Sequence, residues 1–133
     1  MSAEKSTAAQ QAFGQAVNSG SLDFASIVAA DSVDHDPAPG QGPGPGGYRA
    51  FFSELRTAFP DLAIEVEHLS ATDDDVTIAY TASGTNTGEP QGNPATGKAA
   101  SWRGVQIGRF VDGLLVERWG SSDGVGMKQQ LGL

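Results

Sequence analysis

The sequence predicts an α+β fold in which helices precede a curved antiparallel sheet. Two observations support this prediction: apolar residues recur at helical spacing in the first half of the chain, and apolar and polar residues alternate in short segments of the second half. Turns rather than helices separate the alternating segments, which favours an antiparallel meander with the helices on one face. A chain of 133 residues fits one domain, so we expect residues 1–133 to form a single unit.

The N-terminal region predicts two helices. An alanine- and glutamine-rich segment from about Ser6 to Val17 has its apolar residues on a narrow stripe, and Gly20 ends it. Ser21 is a suitable N-cap for a second, short helix. The apolar residues of that helix would be Leu22, Phe24, Ile27 and Val28. A proline ends any regular element just after His35, which therefore lies at a boundary.

The middle of the chain combines a loop with an aromatic helix. Residues 37–47, PAPGQGPGPGG, are rich in glycine and proline and predict a surface loop. The next segment, YRAFFSELRTAF, predicts a helix with a wide apolar stripe, and Pro60 ends it. The stripe contains Tyr48, Phe51, Phe52, Leu55 and Phe59. We expect this face to pack against the sheet.

Four alternating segments predict the strands of the sheet. They are DLAIEVEHL, VTIAYTAS, ASWRGVQIGRF and VDGLLVERW. Asp112-Gly113, between the last two, is a strong hairpin signal. In the first segment His68 shares a face with three apolar residues, which predicts a half-buried histidine. The long connection GTNTGEPQGNPATGKAAS predicts a loop between strands.

The composition limits the partners and the chemistry of the protein. There are 16 acidic and 8 basic residues, a net charge of −8, and no cluster of Lys or Arg, so we expect neither nucleic acid nor a membrane surface as partner. The absence of cysteine excludes disulfides and thiolate catalysis, and two histidines are few for a metal site, so we expect no metal. The start of the sequence lacks the apolar run of a signal peptide, which predicts a cytoplasmic protein.

Asp123 follows the last predicted strand in the segment ERWGSSDGVGMKQQLG and has two interpretations. It is a suitable N-cap for a short final helix. Alternatively, it is a proton-transferring acid beside an apolar pocket, where desolvation would raise its pKa. In an extended strand Asp123 would share a face with Glu117 and Trp119, and Trp119 would supply an apolar wall. The two interpretations can coexist.

Several residues of the predicted strands are candidates for the lining of a pocket. Trp102, Gln106 and Phe110 alternate on one strand face, which predicts core packing. Gln106 is the exception, because a buried amide needs a partner or a ligand. Tyr80 is either an aromatic core residue or a hydroxyl donor in the pocket.

His35 and Glu117 also keep two interpretations each. His35 lies between two aspartates, which would raise its pKa, and it is either a pocket residue or an ordinary residue at the end of an element. Glu117 is either a pocket residue or half of a cross-strand ion pair with Arg103 or Arg109, and the pair is favoured.

Five segments of the chain together resemble a known family. They are VDHDPAPGQGPGPGGYRAFFSELRTAFPDLAIEVE, GTNTG, PATGK, GRFVDGLLVERW and the closing D…QQLG. In order and spacing they resemble the SnoaL-like polyketide cyclase family, over about Asp31 to Leu131. This family belongs to the nuclear-transport-factor-2-like α+β cone superfamily. The resemblance implies a cone-shaped sheet around a central apolar pocket that the N-terminal helices close, and a homodimer or higher homo-oligomer assembled through the sheet.

The resemblance also implies a reaction. Family cyclases close a ring by intramolecular aldol condensation without metal or organic cofactor, and Asp123 matches their general acid/base. Two positions depart from the family pattern: Asn86 stands where a histidine is common, and Ala79-Tyr80 where an arginine-aromatic pair is common.

The resulting hypothesis is a cofactor-independent acid/base enzyme that acts on a small apolar or aromatic polyketide-like substrate. Its catalytic residues would be Asp123 and His35. Its predicted substrate-binding residues are Trp102, Gln106, Phe110, Glu117, Trp119, Tyr80 and Asn86. The alternatives are an epoxide hydrolase or isomerase of the same fold, and a non-catalytic module that binds a small molecule.

Overall fold

The computed structural model describes residues 2–88 and 95–133, which form three helices and a five-stranded sheet. The helices are α1 (Ala3–Ser19), α2 (Gly44–Ala58) and α3 (Gly124–Leu131). The strands are β1 (Val28–Asp34), β2 (Ala63–Ala71), β3 (Asp75–Thr85), β4 (Ala99–Val111) and β5 (Leu114–Ser122). Within these ranges no helix combines the length and the apolar character needed to span a bilayer. Residues 89–94 of the predicted loop between β3 and β4 lie outside the described residues.

The five strands form one curved, unclosed sheet in the order β1-β5-β4-β3-β2. Strands β2 to β5 pair antiparallel as a meander, which confirms the predicted α+β class. The edge strand β1 pairs parallel with β5, so the sheet is mixed rather than wholly antiparallel.

Strand β1 replaces the short helix that the sequence predicted after Ser21, and that prediction is wrong. A single turn forms instead, in which the Val28 amide donates to the Phe24 carbonyl at 2.9 Å. The chain then becomes extended, and the Leu115 amide of β5 donates to the Ile27 carbonyl at 2.9 Å. The β-branched residues at the start of this segment suit a strand, and pairing with β5 outweighs the helix signal of the N-cap.

The helices cover one face of the sheet, which we call the inner face. Helix α1 packs on β2, β3 and β4, α2 on β1, and α3 on β4. Ser2 caps the first amides of α1, and Gly20 ends that helix with a φ of 76°. The core between the layers includes Phe13, Val17, Phe24, Tyr48, Phe59, Val76, Ile78, Phe110 and Leu115. Of the predicted aromatic stripe, Tyr48 and Phe59 lie in the core, and Phe52 and Leu55 pack against it; Phe51 does neither.

The hairpin between β4 and β5 contains the feature that orients β5. Asp112 and Gly113 both have positive φ, 51° and 82°, as a tight two-residue hairpin turn requires. Leu115 pairs with Phe110, but the next pair joins Glu117 to Arg109. One extra residue, Val116, therefore forms a bulge, and every later side chain of β5 changes face.

A second bulge shifts the alternation of β2. Val66 pairs with Tyr80, whereas His68 pairs with Ala79, so one extra residue lies between them. Leu69 instead of His68 then packs against the core, and His68 is exposed on the outer face. The prediction that His68 is half-buried on the apolar face is wrong because this bulge interrupts the period of two.

Candidate functional site

A polar cluster occupies the inner face where β1, β4 and β5 lie side by side. Arg118 Nη1 donates to both carboxylate oxygens of Asp34, at 3.0 and 3.3 Å, and Arg118 Nε donates to Gln106 Oε1 at 2.8 Å. The Asp34 and Arg118 side chains are only 9% and 17% exposed. A salt bridge at this depth leaves a costly unpaired charge when either partner is removed, so the two residues form one unit.

Gly120 provides the space that Arg118 occupies. A Cβ atom at this position would collide with the Arg118 guanidinium. The Gly120 amide donates to Asp36 Oδ2 at 2.9 Å, and the Asp36 carbonyl accepts a long hydrogen bond of 3.4 Å from Arg118. The chain directly after β1 is thereby tied to the polar cluster.

Tyr48 adds a buried hydroxyl to this region. The residue is 3% exposed, and its hydroxyl makes no hydrogen bond with any part of the chain that the structure describes. Burial and, secondly, the nearby Asp34 carboxylate raise the pKa of Tyr48 well above its ordinary range, although Arg118 partly offsets them. Asp34 acts on the hydroxyl mainly through its charge and, to a smaller extent, as an acceptor outside ordinary hydrogen-bond geometry. Tyr48 therefore stays protonated at neutral pH.

A cavity of about 340 Å³ opens beside Asp34 and Tyr48. Its other wall is the glycine- and proline-rich segment before α2, including Pro37, Gln41 and Pro43. Gln41 joins this segment to the cluster, because its Nε2 donates to Asp34 Oδ2 at 3.1 Å. The volume falls within the range of small-molecule sites.

A larger depression of about 690 Å³ lies along α1 and the turn before β1. Asp23 is the only ionisable residue among those that line it. We assign the site to the smaller cavity because it is lined by Tyr48 and by Asp34, a largely buried carboxylate that is paired with an arginine.

His35, Glu117 and Trp119 form a separate cluster on the outer face. The His35 ring stacks on Trp119 with centroids 4.7 Å apart, and His35 Nε2 lies 2.9 Å from Glu117 Oε2. Arg109 Nη1 donates to Glu117 Oε1 at 3.2 Å, which is the cross-strand pair that the sequence favoured. These three predicted site residues therefore lie on the opposite face from Gln106, because the Val116 bulge reverses the alternation.

The contacts of Glu117 make the outer cluster sensitive to acid. The hydrogen bond with His35, together with the charge of Arg109, holds the pKa of Glu117 below its ordinary value of 4.5. Because folding favours the ionised form, this contribution to stability is present above a pH of about 4.5 and is lost as the pH falls further.

Asp123 is the N-cap of α3, which confirms the first of its two interpretations. Its Oδ1 accepts from the Gly126 amide at 2.8 Å, and its own amide donates to the Arg103 carbonyl at 3.0 Å. The residue is exposed, and its side chain does not border the cavity described above. Its role as the general acid/base stays a prediction.

The predicted lining residues of β3 and β4 lie on the inner face but have different surroundings. Trp102 packs on Phe59 with centroids 5.1 Å apart, and Phe110 is 1% exposed within the core. Gln106 is buried, and Arg118 is the partner that its amide was expected to need. Tyr80 covers Gly104, where a Cβ atom would collide with the phenol, and burial raises the pKa of Tyr80.

Asn86 is buried and hydrogen-bonded within the chain, and it lines neither of the two cavities described above. It is fully buried, its Nδ2 donates to the carbonyls of Ala58 and Gly88 at 3.0 Å each, and its Oδ1 accepts from the amide and hydroxyl of Thr96 at 2.9 Å each. All four hydrogen-bonding positions of the side chain are used, so none remains for a substrate. The asparagine that departs from the family pattern here clamps the connection between β3 and β4 to the end of α2.

The sequence analysis missed Asp34, Arg118 and Gln41 as site residues. Asp34 was treated only as a neighbour of His35, and Arg118 has the wrong parity in a regular strand. A signal for Arg118 existed in Gln106, because a buried amide oxygen requires a donor. Among the described residues no three His, Asp or Glu side chains form a group that could ligate a metal ion.

Comparisons with known proteins agree with this architecture. Residues 7–131 match the family of SnoaL-like polyketide cyclases. TsrD from Streptomyces laurentii superposes with a TM-score of 0.87 at 25% identity, over 99% of this chain and 98% of that chain. IdmH from Streptomyces antibioticus, a proposed polyketide cyclase, has a TM-score of 0.82 at 31% identity, over 96% and 98% of the two chains. AclR from Streptomyces galilaeus, a proposed hydroxylase, has a TM-score of 0.81 at 27% identity, over 99% and 98%. No curated protein matches the chain.

The clamp at Asn86 generates a stability prediction. We expect Asn86→Asp to lower the free energy of unfolding by about 2–4 kcal/mol, because a carboxylate oxygen would face two carbonyl acceptors in a buried position. Thr87→Ala is the matched control, since Thr87 is the exposed neighbour and its change should be nearly neutral. Urea denaturation measures both variants. Equal stability of Asn86→Asp and the unmodified protein would contradict the clamp.

Proposed function

The chain belongs to the SnoaL-like polyketide cyclase family, and we propose that it closes a ring in a small polyketide-like molecule by intramolecular aldol addition without a cofactor. The observation that carries this proposal is the pair formed by Asp34 and Tyr48. The side chains of Asp34 and Tyr48 both line one cavity in an otherwise largely apolar interior, and the Tyr48 hydroxyl itself is buried. Base and acid are the two groups that aldol addition requires.

In the proposed reaction Asp34 takes the proton from a carbon next to a substrate carbonyl. The resulting enolate carbon attacks a second carbonyl of the same molecule, and a carbon–carbon bond forms. Tyr48 donates its proton to the new alkoxide, and the proton held by Asp34 restores Tyr48, so no proton is gained or lost overall. A carboxylate can serve as the base when hydrogen-bond donors stabilise the enolate, as in ketosteroid isomerase.

Asp34 and Asp123 are both candidates for the base, and each has its own support. Asp123 matches the family's acid/base by sequence, whereas Asp34 has the burial, the charged partner and the cavity. We favour Asp34 because a proton-transferring group must reach a substrate that is shielded from water.

A non-catalytic binding module is the second candidate. It is supported by the contacts of Asp34, whose two oxygens already accept from Arg118, Gln41 and the Asp36 amide. In a binding module this carboxylate would only hold the cluster together. Such a protein would show no ring closure in any variant, and Asp34→Asn would act only by weakening the cluster.

We further propose that two copies of the chain associate through the outer face of the sheet. Val33, Val105 and Ile107 are 49%, 50% and 38% exposed, and all three lie on that face. Neighbouring exposed apolar residues of this kind are typical of an interface. The His35–Trp119 stack lies next to them, since Trp119 pairs with Ile107.

The second prediction separates the two candidate bases. We expect Asp34→Asn to lower kcat for ring closure of an aromatic polyketide ester by about 100-fold or more, because the amide cannot accept the proton. Asp123→Asn is the matched control, since asparagine is an equally good N-cap. Ring closure is followed by absorbance, and circular dichroism checks the fold. A loss in Asp123→Asn alone would transfer the role to Asp123.

Tyr48→Phe tests the proposed acid. We expect kcat to fall by about 10- to 100-fold, while the free energy of unfolding stays the same or rises by up to about 1 kcal/mol, because the hydroxyl makes no hydrogen bond. Kinetics and urea denaturation measure the two effects. Full activity, or a clear loss of stability, would mean that Tyr48 is an ordinary core residue.

The fourth prediction concerns the assembly. Ile107→Glu places a charge in the proposed interface, and we expect it to shift the particle mass in light scattering from that of two chains to that of one. Val125→Glu is the control, because Val125 is 70% exposed but lies on α3. An unmodified protein that already has the mass of one chain at high concentration would refute the interface.

A further inference from the structure

We propose that the edge of β2 that faces away from β3, here called the β2 edge, can pair with the same edge of a second copy of this chain, and that the side chain of Asn18 prevents this pairing. Within the described ranges β2 is the last strand of the sheet, and only β3 pairs with it. An unpaired strand edge presents a row of backbone amides and carbonyls with which a strand of another molecule can form hydrogen bonds. This surface is separate from the cavity beside Asp34 and from the proposed interface on the outer face.

The Asn18 side chain occupies the place of a neighbouring strand at the start of the β2 edge. Its Oδ1 accepts from the Ile64 amide at 2.8 Å, and its Nδ2 donates to the Ile64 carbonyl at 3.0 Å. Both backbone groups of Ile64 therefore point away from β3. A side-chain amide offers one acceptor and two donors, so it can satisfy both groups as a peptide backbone would. A strand of another molecule must displace Asn18 before it can pair at Ile64.

Arg56 of α2 holds the end of α1 that contains Asn18. Its Nη1 donates to the carbonyls of Val17 and Leu62 at 3.0 and 3.3 Å, and its Nη2 donates to the Asn18 carbonyl at 3.3 Å. A positive charge at the C-terminal end of a helix is also favourable for the helix dipole. These contacts use the backbone of Asn18 and not its side chain. A substitution of the Asn18 side chain should therefore leave the end of α1 attached.

A second residue of α1 contacts the far end of the β2 edge. The Ser6 hydroxyl is buried, and its oxygen lies 2.8 Å from the carbonyl oxygen of Thr72, the residue directly after β2. Val66 lies between the two contacts and is 45% exposed. It lies two residues after Ile64 and ahead of the bulge, so its backbone amide also points away from β3. With Ile64 occupied, the accessible part before the bulge is too short for pairing between molecules.

Acidic side chains oppose the pairing of two such edges as well. Glu65 and Glu67 are both exposed on β2. If two copies of β2 paired, the carboxylates of the two copies would come close together and repel each other. Salt screens the repulsion between exposed charges. At high ionic strength the Asn18 side chain is therefore the main barrier, and the experiments below use that condition.

Light scattering at high salt tests the proposal. We expect Asn18→Ala to raise the particle mass at high protein concentration at least about twofold above that of the unmodified protein, because the Ile64 groups become available. Gln15→Ala, at another exposed polar residue of α1, is the matched control and should leave the mass unchanged. Circular dichroism checks the fold, and Asn18→Ser decides if Asn18→Ala does not fold. An unchanged particle mass would overturn the proposal.

A second substitution identifies the surface through which the copies associate. Val66→Pro removes a donor from the β2 edge without removing a hydrogen bond to β3. Added to Asn18→Ala, it should return the particle mass to that of the unmodified protein. Ile107→Glu changes the outer face, so Asn18→Ala should still raise the mass above that of Ile107→Glu alone. A rise that survives Val66→Pro and disappears with Ile107→Glu would overturn pairing through the β2 edge and would support the outer face.

Amide hydrogen exchange at Ile64 is an independent measurement. In dilute Asn18→Ala the Ile64 amide has lost its acceptor, so we expect it to exchange at least about fivefold faster than in the unmodified protein. The Thr85 amide, which donates to Asp61 Oδ1 at 2.7 Å, should keep its rate and is the control. At high protein concentration, pairing should slow exchange at Ile64 again. Equal exchange at Ile64 in both proteins would contradict the role of Asn18.

Discussion

One extra residue in β5, Val116, determines which side chains of that strand face the interior of the protein. The bulge at Val116 lies between the hairpin turn and the half of β5 that contains Arg118, and it exchanges the two faces for every later residue of the strand. Arg118 and Gly120 consequently lie beside Gln106 and Asp34, while Glu117 and Trp119 lie beside His35. In a regular strand the same sequence would place a glutamate and a tryptophan in the interior and an arginine outside.

The ion pair of Asp34 and Arg118 links three elements that are distant in the chain. It joins the end of β1 to β5 and, through Gln106, to β4, while Gln41 attaches the segment before α2 to the same carboxylate. Its position follows from the parallel pairing of β1 with β5, in which Asp34 is aligned with Arg118. On the inner face, hydrogen bonds therefore hold the Asp34–Arg118 ion pair in place, and aromatic and aliphatic side chains surround it.

Sequence patterns were sufficient for most of the fold and for a small part of the site. The period of two located β2 to β5, the Asp112-Gly113 pair located the hairpin, and Asp123 was a correct N-cap. Strand β1 was missed because its pairing with β5 is a long-range interaction that local propensity does not encode. The site residues on β5 were assigned to the wrong face because a bulge has no signature in an alternating pattern. Asn86 was read as a substrate contact because the burial of a loop residue depends on the packing of α2 against the sheet.

The buried hydroxyl of Tyr48 relates the stability of the fold to its affinity for a ligand. A buried hydroxyl without a partner destabilises the folded state by about 1–3 kcal/mol relative to one that is satisfied. A ligand that accepted from this hydroxyl would recover this free energy on binding, so part of its affinity would come from the lower stability of the ligand-free protein. Selection for a more stable empty fold would favour removal of that hydroxyl, whereas selection for a ligand would retain it.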